Sequence, residues 1–188
     1  NRKSQDVQKC VIEDEFPQNR LVLQKQADGA LWQGTAYVDN PELRIYQAGT
    51  TNVLYTTNLI NRTNDTPSPT ENAYWIESTT DPVTGITTDT LHIQFAEPTT
   101  PGGTVLSSTQ YANFSVYTKV VDTSLLKTNG SVRIENSAKA ETVVGNASYQ
   151  TEPKGSYELA NTMITKTATK NQSAAGHTGN QCVTECYH

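Results

Sequence analysis

Ser131-Val132-Arg133-Ile134-Glu135-Asn136-Ser137-Ala138-Lys139 alternates apolar and polar side chains. Val132, Ile134 and Ala138 fall on one side; Ser131, Arg133, Glu135, Ser137 and Lys139 fall on the other. Successive strand residues point to opposite faces, so the pattern predicts a strand with one face in a core and one in water. Asn136 interrupts it. Its place in the alternation puts a carboxamide on the apolar face, where an unpartnered polar group costs about 1–3 kcal/mol.

The same kind of segment recurs along the chain. Short alternating runs rich in Thr, Val, Ile and Tyr are expected as strands over 7–14, 19–25, 30–38, 43–47, 52–58, 73–78, 89–96, 112–122, 131–138, 141–144 and 161–169. Turn signals separate them: Asp28-Gly29, Asp39-Asn40-Pro41, Asp81-Pro82, Pro101-Gly102-Gly103 and Asn129-Gly130, the last a hairpin signal directly before SVRIENSAK. No stretch sustains helical periodicity. The fold class predicted is all-β, an immunoglobulin-like β-sandwich, and 188 residues suffice to bury a core for it. Residues 145–160 are polar and carry Pro153 and Gly155, so they read as a linker or a long excursion between a domain at 1–144 and a strand segment at 161–188.

Two further segments repeat the oddity of Asn136. In Val7–Asp14, continued by Glu15-Phe16-Pro17, the face shared by Cys10, Ile12 and Phe16 also holds Asp14; in 163–169, Ile164 and Ala168 flank Lys166. Taken singly, a core Asn bonds to backbone, an Asp before a Pro caps a turn and a strand-end Lys reaches to water. Together they fit one reaction. A neutral lysine amine attacks the carbonyl carbon of an asparagine side chain, ammonia leaves, and an amide joins two strands. Burial supplies the neutral amine, and a buried carboxylic acid polarises the carbonyl and serves the leaving group. Lys166, Asn136 and Asp14 are the expected nucleophile, electrophile and acid, acting once per molecule rather than as an enzyme with turnover.

These three segments resemble the marks of a repeated immunoglobulin-like domain of bacterial surface proteins, the collagen-adhesin-like type. The carriers are Ile164-Thr165-Lys166-Thr167-Ala168, Val11-Ile12-Glu13-Asp14-Glu15-Phe16-Pro17 and Ile134-Glu135-Asn136-Ser137-Ala138, with Phe114–Asp122 similar to the penultimate strand. In members with an internal isopeptide bond, the matching Lys and Asn are the bonded pair and the Asp is the acid. The family order is Lys, Asp, Asn, whereas here the Lys-bearing strand comes last. The resemblance therefore implies a domain lacking its opening strand, completed by residues 161–188 of its own chain or of a neighbour. It also implies an extracellular, cell-surface location. The alternative is that 161–188 are a stub of a following repeat.

An incomplete sandwich offers an open strand edge. Head-to-tail self-association by strand exchange would extend without closing into a fibre. The first expectation is thus a structural stalk or fibre subunit; the second is an adhesin module that grips a host or partner protein through the long polar insert at Asn58–Glu71. Cys10, Cys182 and Cys186 lack metal spacing. Either of the last two can pair with Cys10, leaving one over. The net charge of -5 without a basic run argues against nucleic acid, and no apolar run is long enough for membrane insertion. No cofactor or metal motif is present. His92 is expected on an outer face opposite Leu91, Ile93 and Phe95, and Trp32 and Trp75 in the core.

Overall fold

The computed structural model describes residues 6–121, 131–145, 147–152 and 154–160. Every regular element among them is a β-strand.

The largest sheet is organised by the alternation already visible in the sequence. Its strands are β1 (Lys9–Pro17), β7 (Ile60–Asn61), β8 (Ala73–Thr80), β9 (Thr87–Gln94), β12 (Ser131–Val144) and β13 (Ala147–Thr151), in the order β13-β12-β1-β9-β8-β7, with β14 (Lys154–Ala160) also on β12. All its pairings are antiparallel except β7 with β8. Register fixes which side chains share a face: Asp14 lies opposite Leu91 and Phe16 opposite Asp89, and Leu91 lies opposite Ile76 and Ile93 opposite Tyr74. Phe16, Leu91, Tyr74 and Ile76 are all buried.

Smaller sheets supply the rest of the same core. β5 (Glu42–Gln47) lies between β6 (Val53–Asn58) and β10 (Gln110–Asn113), β2 (Leu21–Leu23) pairs with β11 (Thr118–Val120), and β3 (Leu31–Gln33) pairs with β4 (Ala36–Val38). Leu21, Leu23, Leu31, Leu43 and Ile45 from these strands join Phe16, Leu91 and Tyr74 in one hydrophobic cluster. The Tyr74 hydroxyl reaches the carbonyls of Gly29 and Asp39, both at 3.0 Å, so the phenol is satisfied inside the core. Gly29 has φ +93°, and a Cβ there would run into Thr63; the Asp28-Gly29 turn needs its glycine.

Several sequence expectations change. The run 30–38 is a hairpin of two strands, and 112–122 splits into β10 and β11. The runs 131–138 and 141–144 merge into the single β12. Residues 145–160, read as a linker, carry β13 and β14. Val144 pairs with Ala147 across a two-residue turn whose Gly145 has φ +62°, the chemistry of a tight hairpin. β14 continues along β12 in the register set by β13, so the two form one return strand interrupted at 152–153. Polar composition hid it: residues 147–150 are exposed, and an exposed strand needs little apolar surface. The Asn129-Gly130 signal and the run 161–169 lie outside the described residues.

Candidate functional site

β1 and β12 run together from Lys9↔Val143 to Asp14↔Ala138, and there the pairing stops. β1 remains in the sheet beside β9 as far as Pro17, while β12 carries on with β14 as its partner from Ser137 back to Ser131. Asn136 and Asp14 sit at this fork. Two residues from Ala138 along β12, Asn136 is on the same face and diagonal to Asp14. Its Nδ2 donates to Asp14 Oδ1 at 2.7 Å, with both residues half-buried. The amide that interrupts the SVRIENSAK pattern is therefore partnered by the carboxyl that interrupts the pattern of β1.

Burial pushes the Asp14 carboxyl above the ordinary carboxylate range, the Asn136 hydrogen bond pulls it partly back, and Glu15 adds a smaller push upward. Among the described residues, no cation is hydrogen-bonded or ion-paired to Asp14. The neighbouring Lys139 points the other way, exposed and 3.3 Å from Glu15. A carboxyl with a raised pKa against a carboxamide can hand over a proton. Turned by 180° about its last bond, the same carboxamide would present its oxygen to a protonated Asp14. Lys166, the expected nucleophile, lies outside the described residues.

Cys10 shares this face of β1. It is a buried free thiol, and burial raises its pKa to about 11, which makes it an inert core group at neutral pH. Cys182 and Cys186 lie outside the described residues.

The opposite face of the sheet carries features that the sequence assigned differently. His92 does lie opposite the buried Leu91, Ile93 and Phe95, but it is only 12% exposed. Trp75, expected in the core, is half-buried on this outer face and stacks flat on His92 at 4.8 Å. Trp32 likewise is half-buried and meets Tyr37 edge-on. Register explains Trp75: it pairs with His92, and both are one residue out of phase with the core set. A cavity of about 360 Å³ on the same outer side is lined by Val11, Glu13, Lys139, Glu141 and Glu152, away from Asp14 and Asn136. Among the described residues no group of His, Cys, Asp and Glu could hold a metal ion, and no helix is long and apolar enough to cross a membrane.

The insert Asn58–Glu71 is anchored rather than loose. Leu59 is fully buried, and Arg62 holds Glu71 at 2.8 Å and Asp65 at 3.0 Å. Comparison with family models, with curated proteins and with solved structures finds no match to this chain.

Proposed function

We propose that this chain is a structural module of an extracellular stalk or fibre, an immunoglobulin-like sandwich closed by a covalent bond between Lys166 and Asn136 with Asp14 as the acid. The observation that carries this reading is the 2.7 Å contact between Asn136 and Asp14 on the core-side face. Its energetics point the same way. A carboxyl that burial holds protonated more readily suits proton transfer to a carboxamide better than it suits a structural ion pair.

The fork supports the reading that residues 161–188 supply a further strand. On the side facing β1, residues 131–137 of β12 have no strand partner among the described residues. Residues 163–169 alternate in the way that such an edge demands, and their Lys166 would arrive beside Asn136. β14 ends at Ala160, paired with Ser131. Six further residues span about 20 Å when extended, enough for the segment to turn back in its own molecule; entry into a neighbour builds a fibre.

In the reaction Lys166 Nζ bonds to Asn136 Cγ, the Cγ–Nδ2 bond breaks, and Nδ2 leaves as ammonia after taking a proton relayed by Asp14. Intact mass under denaturing conditions is expected one ammonia below the sequence value. Lys166→Ala and Asn136→Ala should abolish the ammonia loss, and Asp14→Ala should greatly slow it. A full-mass wild-type chain overturns the reading. On denaturing gels a single modified monomer places the strand in the same molecule, and a ladder resistant to reductant places it in a neighbour.

A second reading, an adhesin module gripping a host protein, is favoured by one surface. On the β10-β5-β6 sheet Tyr46 and Tyr111 stack at 5.1 Å, beside exposed Val53, Leu54 and Tyr55 on the edge strand. Tyrosine-rich, weakly charged patches are a common basis for protein recognition.

A further inference from the structure

β6 (Val53–Asn58) ends the β10-β5-β6 sheet, and among the described residues β5 is its only strand partner. Three consecutive apolar side chains stand out from it: Val53 is 46% exposed, Leu54 48% and Tyr55 47%. Val53 lies opposite Tyr46 and Tyr55 opposite Ile45, so apolar surface appears on both faces of the strand. Such a run on an open edge is a template for another strand.

The backbone of β6 is equally open. Leu59 N donates to the Pro41 carbonyl at 2.9 Å, in step with the pairs Leu43↔Thr57 and Ile45↔Tyr55. Bonded and non-bonded pairs alternate along an antiparallel ladder, so Thr57 and Tyr55 turn their amides to β5, while Thr56 and Asn58 turn theirs away. The register shift falls at Leu54 and leaves 55–58 regular. Edge strands that stay single commonly carry Lys, Pro or an inward charge. β6 has none of these.

We propose that β6 pairs with β6 of a second copy of this chain, antiparallel about a two-fold axis. Charge selects this occupant. The chain carries a net charge of -5, which disfavours contact between acidic faces of two copies. Val53–Asn58, by contrast, are uncharged, and on the neighbouring strand Glu42 is already ion-paired with Arg44. A partner recognised by charge gains nothing here, whereas an identical strand meets each outward N–H with an outward carbonyl and covers the same apolar side chains on both copies. One six-residue strand pair falls short of the about 1,200–2,000 Å² that a stable complex buries, so the contact is weak between single molecules. Copies joined end to end would repeat it along their length, and repeated weak contacts hold together. The contact is lateral and does not depend on the joint proposed at Asn136.

Sedimentation equilibrium of the full chain over a concentration series, combined with amide hydrogen exchange, tests the pairing. The Thr56 and Asn58 amides are expected to gain protection as the weight-average mass rises with concentration. Thr56→Pro removes an N–H that β5 does not use, and Leu54→Lys places a charge on the edge. Each should weaken the association about tenfold or more, with circular dichroism and the urea midpoint close to wild type. Lys166→Ala should leave both the association and the protection unchanged, which separates this contact from the joint at Asn136. Association that leaves Thr56 and Asn58 unprotected, or that persists in both edge variants, overturns the proposal. So does a chain that stays monomeric at every attainable concentration, including one whose β6 gains protection only when a foreign protein is added.

Discussion

Asp14 and Asp89 occupy the same face of the same sheet on adjacent strands, one register step apart, yet they are solvated and partnered in opposite ways. Asp14 sits half-buried at the fork and faces a carboxamide, so burial without a countercharge raises its pKa. Asp89 is closed off completely and has an ammonium and two neutral donors. Sheet position alone does not set a carboxylate's chemistry; the strand that covers it does. β12 leaves Asp14 near an edge, while the return of the chain through Gln18 and Lys25 seals Asp89.

The largest effect expected from breaking this contrast is at Lys25. Lys25→Met strands the enclosed Asp89 without a cation and should cost about 3–5 kcal/mol in urea unfolding. A loss below about 1 kcal/mol would mean that Asp89 reaches water or another cation. Next comes Ser78→Ala, which removes one donor from a carboxylate with no access to solvent; about 1–3 kcal/mol is expected. Asn136→Ala should cost less in the uncrosslinked chain (prepared with Lys166→Ala), about 0.5–1.5 kcal/mol, because half-buried Asp14 can take water or a proton in place of the amide. If Asn136→Ala proved the more damaging of the two, the order of burial argued for the two sites would be wrong.

The pH dependence sharpens the comparison from the other side. Asp14 has a higher pKa folded than unfolded, so across the window between those values the native state binds more protons. Stability from this group is present below its unfolded value and falls as pH rises through the folded one. Asp14→Asn should flatten that part of the urea-midpoint profile, and a profile unchanged by the substitution would remove the raised pKa from the account. Ammonia loss at Asn136 should likewise slow once Asp14 is ionised. The smallest effect is on the exposed rim: Lys139→Ala breaks only a solvent-exposed pair with Glu15 and is expected to change stability by less than about 1 kcal/mol.

The pairing of Asn136 with Asp14 was legible because each interrupts an otherwise clean two-residue alternation, and a polar group placed on an apolar face requires a partner. Asp89 was not legible in this way. Thr87–Gln94 places Asp89 in phase with Leu91 and Ile93, the same signal as in β1, but its partners Gln18 and Lys25 lie in polar stretches with no pattern of their own. Trp75 was placed in the core on aromatic preference, although its register with His92 turns it outward. The hairpin of β13 was marked by Gly145-Asn146, a two-residue turn signal that polar composition outweighed.

By itself the sequence determined an all-β chain, the faces of its principal strands and two of the side chains that meet at the fork, because period-two alternation and the cost of burying polar groups are local rules. Only the tertiary structure decided that β1 and β12 part at Asp14, that Asp89 is closed over by Lys25, and that residues read as a linker pair as strands. Those outcomes depend on which backbone edges meet and how much water is left between them, and both are properties of packing between segments far apart in the chain.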